Sequence, residues 1–490
     1  MVLSKEFLRG SGIGRADEDT HIFVREAFRK QIDFVLNRII GEQYCGLIFG
    51  QPGTGKSLAT YFVAGTLCRD EWTVVWIHVS SEKVMQSERS CSCVVLQKSR
   101  KLTACFDMED LTSLLRSGSV LFSEGKEILV FDGFTSDPVY SKLHDATFFW
   151  WKEDNINRRL IHVSSMATMA GRKPSKLLQV GIVSLAQFSW TLEEAKLAMK
   201  NSGFAKNVSK FLDADPEPGQ TSLEKLESKF FYAGGSARYL FQVTTAEVKR
   251  EIDSSLESVA HIKDLQDLCM GVFSKTTAHS LLNVYDLQVR EIISAYAACR
   301  IAFVLGPGYL RSLASSPLFS GIPYMKGGFL EIFFFANAKT GKIPLRDKFG
   351  TIIVWETRGA CAIFNPVFPH PVDCTKNTWL MPKKWNQPGY DGVYLYNDLA
   401  GRGCMRFVQV TQRQNHDVKL SYFREVIDMF CLRGIFTTEI VEIFFIVPYS
   451  KQAGYKIGTI ESPDCLSDLG WPSTEKEVVA TIEILGIDFD

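Results

Sequence analysis

The sequence predicts an α/β protein in two parts, a parallel sheet with a helical lid followed by a second α/β domain. Three observations support this prediction. Short apolar runs alternate with helical segments up to about residue 190, a pattern typical of a parallel sheet covered on both faces. A glycine-rich loop at 50–57 joins the first of these runs to a helix. Aromatic and β-branched strands then dominate residues 321–490.

The elements of the first part follow from hydrophobic spacing. Residues 1–20 are polar and contain glycine, which predicts a flexible lead-in, whereas residues 21–40 carry apolar side chains at helical spacing. Buried strands are predicted at five short apolar runs: Tyr44–Phe49, Trp72–Val79, Glu127–Phe131, Leu160–Val163 and Gln179–Ser184. The sheet domain therefore spans 21–190, and helical patterns over 191–320 predict a lid and connector.

The second domain, 321–490, is predicted to begin with an apolar helix at Gly327–Ala338. Runs of β-branched and aromatic residues predict the strands that follow it: Thr351–Glu356, Gly392–Tyr396, Phe407–Thr411 and Ile443–Val447. A helix followed by strands of this kind indicates a second α/β core.

The bulk composition limits the functions that need considering. The chain has 490 residues with 55 basic and 55 acidic side chains, so contact with nucleic acid would need a local basic patch. No apolar run reaches the roughly 18 residues of a membrane span, so no membrane partner is expected. The 12 cysteines are scattered, which is typical of buried thiols in a reducing compartment.

The loop at 50–57 is the most specific motif. Lys56 and Ser57 end a segment that fits the phosphate-binding pattern GxxxxGK[ST] between a strand and a helix: Gly50-Gln51-Pro52-Gly53-Thr54-Gly55-Lys56-Ser57. Its glycines let backbone N–H groups face phosphate oxygens, and the helix N-terminus adds positive potential. The pattern predicts that Lys56 contacts the β- and γ-phosphates of ATP or another NTP, and that Ser57 binds Mg²⁺.

A P-loop also needs an acid on a neighbouring strand. The run Glu127–Phe131 ends in Asp132, which is predicted to help hold Mg²⁺. Many hydrolysing P-loop proteins place a glutamate directly after this aspartate, but here the next residue is Gly133. Either another acid polarises the attacking water, Asp137 being the nearest, or hydrolysis is slow.

Further residues are candidates for contact with the γ-phosphate. Ser164 and Ser165 end a predicted strand at a place where related ATPases sense that phosphate, although they also suit an ordinary strand end. The segment 234–238, Gly-Gly-Ser-Ala-Arg, is typical of a lid that brings an arginine onto the nucleotide. Arg238 would then stabilise charge on the transferring phosphoryl group; the alternative is a solvent-facing arginine.

Acidic and polar residues recur in the second domain. Glu331 lies in the apolar helix, Asp391 opens a strand, and Gln409 and Thr411 share one face of the next strand. This is the order of a restriction-endonuclease-like core, in which acids bind Mg²⁺ and a lysine positions the attacking water.

The second domain departs from that scheme at one strand. Where an E-x-K sequence is usual, the chain has Gln409-x-Thr411, and His416, predicted in a loop, and Lys419 are the residues that could compensate. The alternative is that Gln409 and Thr411 are ordinary polar residues of a half-buried strand.

These motifs together suggest a family. The P-loop, Asp132, the lid segment 231–238 and the order from Glu331 to His416 resemble the Crinkler and retrotransposon-hot-spot (RHS) type proteins of oomycetes, fungi and trypanosomes. Such proteins join a P-loop NTPase with an AAA/STAND-like sheet to a restriction-endonuclease-like domain. The resemblance implies an intracellular effector that acts on DNA, commonly in a nucleus, including the nucleus of a host cell for secreted members.

Three functions remain open at this stage. In the first, the nucleotide state of the P-loop domain controls cleavage of DNA by the second domain. In the second, the chain is a nucleotide-dependent switch whose inactive nuclease-like domain binds DNA or a protein partner. In the third, it is an oligomeric AAA-like remodeller, with Arg158 and Arg159 as arginine-finger candidates or else as surface charges. The sequence does not specify the oligomeric state.

Overall fold

The computed structural model describes residues 1–14, 18–79, 91–117, 125–134, 140–166, 174–214, 219–259, 281–284, 290–314, 323–357, 360–364, 377–382 and 389–489. These residues form two compact units. Unit 1 holds the described residues of 1–213, 222–260 and 271–294, and unit 2 holds those of 214–221 and 295–490. The predicted connector 191–320 is therefore divided between the two units.

Unit 1 is built on a seven-stranded sheet with two small strand pairs beside it. Its strands are β1 (Val2–Leu3), β2 (Thr20–His21), β3 (Cys45–Gly50), β4 (Trp72–Val79), β5 (Cys91–Gln97), β6 (Arg100–Phe106), β7 (Lys126–Phe134), β8 (Arg158–Ser165), β9 (Ile182–Gln187), β10 (Leu282–Val284) and β11 (Arg290–Ile292). The large sheet has the order β6-β5-β4-β7-β8-β3-β9.

The five predicted strands of unit 1 are confirmed as the parallel part of this sheet. Strands β4, β7, β8, β3 and β9 all run in one direction. Alternate residues of β3 enter different hydrophobic clusters, Leu47 on one face and Ile48 on the other, so both faces are covered. Burial on both faces explains why these strands are continuous apolar runs.

The helices of unit 1 cover the sheet and form the lid. Those against the sheet and its edges are Lys5–Leu8, Glu26–Asp33 with its π-helical continuation Phe34–Gly41, Lys56–Thr66, Met108–Ser117, Ser141–Glu153 and Pro174–Gln179. The lid helices are Leu192–Met199, Ser202–Val208, Ser222–Ala233, Ala237–Phe241 and Thr245–Glu257. The predicted helical lid is thus present, although the strands β10 and β11 interrupt the connector.

The N-terminal segment differs from the predicted flexible lead-in. Leu3 and Leu8 are buried against the helix that follows the P-loop, and Ser11 is fully buried. The indole Nε1 of Trp76 donates to the carbonyl of Ser11 at 2.9 Å. The polar composition of 1–20 concealed this packing, because only a few apolar side chains anchor the segment.

A buried lysine joins three parts of the lid. The ammonium group of Lys229, fully buried, donates to Asp213 Oδ1 at 3.1 Å, to the carbonyl of Val243 at 2.9 Å and to Thr245 Oγ1 at 3.1 Å. Burial lowers the pKa of Lys229, although the charge of Asp213 opposes that change. The network holds the lid together because its three acceptors satisfy the ammonium group of Lys229, which water cannot reach.

We expect Lys229→Met to lower the free energy of unfolding by about 2 kcal/mol, since the change leaves the buried Thr245 and the carbonyl of Val243 without their donor. Urea denaturation measures this difference. The matched control is Lys206→Met, an exposed lysine of a neighbouring lid helix, which should change stability by less than about 0.5 kcal/mol. Equal effects in the two variants would show that the buried network contributes nothing.

Unit 2 has an eight-stranded mixed sheet and one separate strand pair. Its strands are β12 (Lys342–Arg346), β13 (Ile352–Glu356), β14 (Ala360–Phe364), β15 (Thr378–Pro382), β16 (Gly392–Asn397), β17 (Gly403–Val410), β18 (Asn415–Lys419), β19 (Ile440–Pro448), β20 (Lys456–Glu461) and β21 (Glu483–Ile487). The large sheet has the order β13-β12-β21-β19-β17-β16-β15-β14, and β18 pairs with β20. The helices are Ala295–Leu305, Pro307–Ala314, Pro323–Thr340, Leu420–Leu432, Tyr449–Gln452 and Glu475–Thr481.

The predicted helix and four predicted strands of the second domain are all present in unit 2. Strands β16 and β17 are antiparallel, whereas β17 and β19 are parallel and are connected through the helix Leu420–Leu432. Phe423 of this helix packs against Phe407 of β17, with ring centroids 4.9 Å apart. Among the helices of the described residues, none is both long and apolar enough to cross a bilayer.

Candidate functional site

The loop 50–57 has the backbone conformation that its glycines predict. Gly53 and Gly55 have φ values of +77° and +97°, which other residues rarely adopt. A Cβ on Gly53 would lie 2.1 Å from Ser236 Oγ, and the carbonyl of Gly53 accepts from the N–H of Ala237 at 2.9 Å. The predicted lid segment therefore packs directly on the loop.

Lys56 is buried at the start of the helix after the loop. Its Nζ donates to the carbonyls of Gly50 at 3.0 Å and Gln51 at 2.7 Å. Burial lowers the pKa of Lys56 to about 8, while the charge of Asp132 opposes the change. The ammonium group is thus held inside the loop by acceptors that phosphate oxygens can replace.

Ser57 and Asp132 meet beside the loop. Ser57 Oγ donates to Asp132 Oδ1 at 2.8 Å, and Asp132 is buried at the end of β7. A hydroxyl and a carboxylate are the oxygen ligands that Mg²⁺ prefers, so the two predicted ligands fit this ion. The second carboxylate oxygen, Oδ2, lies 2.8 Å from Nδ1 of His78, which sequence reasoning missed.

Two further residues brace the loop and were also not predicted. The guanidinium of Arg25, 5 % exposed, donates to the carbonyl of Thr54 at 3.3 Å and to Glu194 Oε2 at 3.2 Å. It also donates to the carbonyl of Phe188. Gln31 Nε2 donates to the carbonyl of Lys56 at 2.9 Å. Arg25 therefore connects the loop, the end of the sheet and a lid helix.

A cleft of about 520 Å³ opens beside the loop within unit 1. Its walls are the loop, residues 12–14 and 18–23 of the N-terminal segment, and the lid. Aromatic rings at the base of the lid pack against one another and against the N-terminal segment: Phe23, Trp190, Phe204 and Phe241. The cleft has the size and the mixed apolar and polar walls of a small-molecule site.

Not every predicted γ-phosphate contact enters this cleft. Arg238 lines it and is exposed, a position that suits both the predicted phosphate contact and the solvent-facing alternative. Ser164 Oγ instead donates to the carbonyl of Ser165 at 2.9 Å, and neither serine lines the cleft. Asp137 lies outside the described residues.

The two arginine-finger candidates hold structural positions. Arg158 and Arg159 begin β8, at the end of the parallel strands opposite the P-loop. Arg158 pairs with Glu127 and Glu153 at 3.4 and 3.1 Å. Arg159 is 4 % exposed and donates to backbone carbonyls that include that of Asn155 at 2.9 Å. Both arginines are thus engaged within their own chain, and Arg159 is not the surface charge of the alternative. The finger hypothesis, which needs a neighbouring subunit, stays a prediction.

In unit 2 the structure brings Glu331, Asp391 and Gln409 together. Gln409 Nε2 and the N–H of Val410 donate to the same oxygen of Asp391, Oδ2, at 2.5 and 2.6 Å. Burial raises the pKa of Asp391 to about 7. Burial also raises the pKa of Glu331 well above its ordinary value, and the nearby charge of Asp391 raises it further.

These raised pKa values predict a pH-dependent stability. The folded state keeps protons that the unfolded chain releases from about pH 4, so stability is lost as the pH rises towards the folded pKa of Asp391, about 7. We expect the free energy of unfolding to fall by about 2 kcal/mol between pH 5 and 8 with EDTA present. Asp391→Asn should reduce this slope in urea denaturation and leave the part that burial of Glu331 contributes. A wild type whose stability rises over that range would contradict the prediction.

The other predicted residues of unit 2 lie apart from Asp391. Thr411 Oγ1 accepts from the N–H of Arg413 at 3.1 Å and so stabilises the turn after β17. His416 lies in strand β18 and not in a loop, because it pairs with β20, and its Nδ1 contacts the carbonyl of Asp417. Lys419 pairs with Glu461 at 3.3 Å. Within the described residues, no hydrogen bond or ion pair joins any of the three to Asp391.

A metal site in unit 2 would rest on few ligands. No group of three or more His, Cys, Asp or Glu side chains suited to a metal ion occurs in the described part of the chain. Gln409 Oε1 is, however, buried and lacks a hydrogen-bond partner there. Together with the carboxylates of Glu331 and Asp391 it would complete a set of oxygen ligands that suits Mg²⁺.

Comparisons with known proteins add little to this geometry. No protein-family model matches the sequence, and no curated protein matches it. Among solved structures, the R170A variant of Thermotoga maritima RuvB is 15 % identical with a TM-score of 0.27, covering 56 % of this chain and 94 % of its own. Aeropyrum pernix Orc1 in complex with DNA is 10 % identical with a TM-score of 0.27, covering 56 % and 77 %.

The S. cerevisiae Hsp104–ADP complex is a third similar structure. It is 11 % identical with a TM-score of 0.29, covering 69 % of this chain and 44 % of its own. At such identities and TM-scores the similarity decides neither the fold nor the function of this chain.

Proposed function

We propose that unit 1 binds a nucleoside triphosphate, with ATP as the first candidate, together with Mg²⁺ and hydrolyses it. The observation that carries this proposal is the convergence of Lys56, Ser57 and Asp132 on a loop whose glycines adopt the conformation of a phosphate cradle. The cleft beside the loop has room for the remainder of the nucleotide.

Each residue has a distinct task in this proposal. Backbone N–H groups of the loop donate to the phosphates, and Lys56 exchanges its carbonyl partners for phosphate oxygens. Ser57 and Asp132 hold Mg²⁺, which when bound neutralises charge on the β- and γ-phosphates. Arg238 extends from the lid towards the same phosphates and stabilises the charge that develops on the transferring group.

Isothermal titration with ATP and GTP, each with and without Mg²⁺, tests the binding. We expect one nucleotide per chain and tighter binding with the metal, and release of inorganic phosphate measures the hydrolysis. Absence of binding for both nucleotides at millimolar concentration would reject the proposal.

For unit 2 the proposal is a restriction-endonuclease-like domain of the Crinkler and RHS type, which acts on DNA in a nucleus under control of the nucleotide. Two observations support it. Glu331, Asp391 and Gln409 converge, and the antiparallel pair β16 and β17 is followed, after the short strand β18, by a helix and the parallel strand β19. Incubation of the full chain with plasmid DNA, Mg²⁺ and ATP tests for nicking, with Asp391→Asn as the variant that should lose it.

A second candidate for unit 2 is an inactive nuclease-like domain that binds DNA or a protein partner. It is favoured by the amide of Gln409, which donates to the carboxylate that would hold the metal, at the place where an acid is usual. The plasmid assay separates the two candidates. Nicking that depends on Asp391 supports the nuclease, whereas DNA binding without nicking under any divalent metal supports the switch.

A further inference from the structure

We propose that His78 orients the water molecule that attacks the γ-phosphate. The inference rests on the proposed nucleotide hydrolysis and names a residue for a task that the P-loop pattern leaves unassigned. The usual position for this task, directly after Asp132, is occupied by Gly133.

The backbone at Gly133 excludes the usual glutamate. Gly133 has φ +95°, and the pairing of β7 with β8 shifts register between Asp132 and Phe134. A Cβ at this position would lie 3.0 Å from the carbonyl oxygen of Val79. A glutamate would therefore strain the backbone, so another side chain must hold the water if hydrolysis occurs.

The nearby acids of the cleft wall are engaged elsewhere. Glu18 forms a salt bridge with Lys210 at 2.6 Å, and Asp19 Oδ1 accepts from the N–H of Lys5 at 2.9 Å. The carboxylate of Asp132 is used by Ser57 and His78. His78 is thus the polar side chain of this wall that adjoins Asp132 and has a second hydrogen-bonding atom to offer.

The hydrogen bond between Nδ1 of His78 and Asp132 determines the position of the second ring nitrogen, Nε2. His78 is the penultimate residue of β4 and lies directly opposite Asp132 of β7 in the strand register. Because a carboxylate oxygen can only accept, Nδ1 at 2.8 Å from it is the donor, and the other ring nitrogen, Nε2, points away from Asp132. Nε2 can then accept a hydrogen bond from water.

The side chain of His78 is accessible from the cleft. The side chain of His78 is 26 % exposed and lines the cleft together with Ser57 and Asp132. Gly12 lies against the ring, and a Cβ there would be 2.1 Å from Cδ2 and 2.7 Å from Nε2. Glycine at this position therefore lets the main chain pack against the ring, and in the described residues Nε2 has no hydrogen-bond partner.

Hydrolysis of ATP does not require His78 to take up a proton from the water. The water oxygen forms a bond to the γ-phosphorus while the bond from that phosphorus to the β–γ bridging oxygen breaks, and its electron pair stays on ADP. Both hydrogens of the water end on the released phosphate, so ATP⁴⁻ and H₂O give ADP³⁻ and H₂PO₄⁻. His78 contributes orientation alone, as water-positioning residues do in other NTPases.

Two substitutions of His78 distinguish orientation of the attacking water from a role that consists only of the hydrogen bond to Asp132. The amide nitrogen of asparagine mimics Nδ1 and keeps the bond to Asp132, whereas the longer glutamine places its amide where Nε2 lies. We expect His78→Asn to lower single-turnover phosphate release about 100-fold, and His78→Gln to recover about 10-fold of that loss. The affinity for ATP should change less than about 3-fold in both variants.

The outcomes are distinguishable. Equal rates of phosphate release in the wild type and in His78→Asn, including no release from either, would overturn the role of Nε2 while leaving nucleotide binding intact. Loss of ATP affinity in parallel with the rate would also overturn it, because orientation of water acts on turnover and not on binding. A wild type that binds no nucleotide rejects the proposed function and the inference together.

Discussion

Lys56→Ala should weaken the binding of ATP with Mg²⁺ about 100-fold or more. The side chain is buried in the P-loop and supplies the one ammonium group among the described residues that contacts the loop carbonyls of Gly50 and Gln51. Loss of a desolvated charge-assisted contact to a phosphate costs about 3 kcal/mol or more. Titration calorimetry measures the change directly.

The control for this variant is Lys142→Ala. Lys142 is an exposed lysine of the helix Ser141–Glu153 and does not line the cleft, so its removal should leave affinity unchanged. A thermal melt shows whether Lys56→Ala is folded. If the folded variant binds ATP as tightly as the control does, the cleft is not the nucleotide site.

Asp132→Asn should lower phosphate release by about 100-fold to 1000-fold at saturating ATP. Asparagine keeps the size of the side chain and a hydrogen bond to Ser57 or His78, but it removes the negative charge that would hold Mg²⁺. ATP binding in EDTA should change little, because the carboxylate acts through the metal.

Phosphate release measured against Mg²⁺ concentration tests this expectation. The variant should need a higher metal concentration as well as turning over more slowly. Asp145→Asn, an exposed acid of the helix Ser141–Glu153, is the matched control and should behave as the wild type does. An unchanged metal dependence in Asp132→Asn would place the Mg²⁺ ligand elsewhere.

The parallel sheet and the P-loop could be predicted because their physics is local. A strand buried on both faces must be apolar along its length, as Trp72–Val79 is, and a phosphate cradle needs glycine where φ is positive, as at Gly53 and Gly55. The hairpin of β5 and β6 was not predicted, because its outer strand has no such local pattern. Most residues of β6 are exposed at the sheet edge, so Arg100–Phe106 lacks an apolar pattern.

The candidate site could be predicted only in part. Lys56, Ser57 and Asp132 belong to sequence patterns, whereas His78 and Arg25 reach the site through strand register and long-range packing. A histidine next to the end of the strand Trp72–Val79 was a usable signal, since the apolar run Glu127–Phe131 of the neighbouring strand is followed directly by Asp132. Arg158 and Arg159 show the converse: their place before a strand of a parallel sheet already implies the end opposite the P-loop, but their burial and ion pairs came only from the fold.

The most direct test of the nucleotide site is a crystal structure of the full chain with Mg²⁺ and a non-hydrolysable ATP analogue. The expected result has the β- and γ-phosphates within the loop 50–57, with Lys56 Nζ moved from the carbonyls of Gly50 and Gln51 to phosphate oxygens. Ser57 and Asp132 should lie beside the metal. An analogue bound outside this cleft, with Lys56 still on its two carbonyls, would contradict the proposed site.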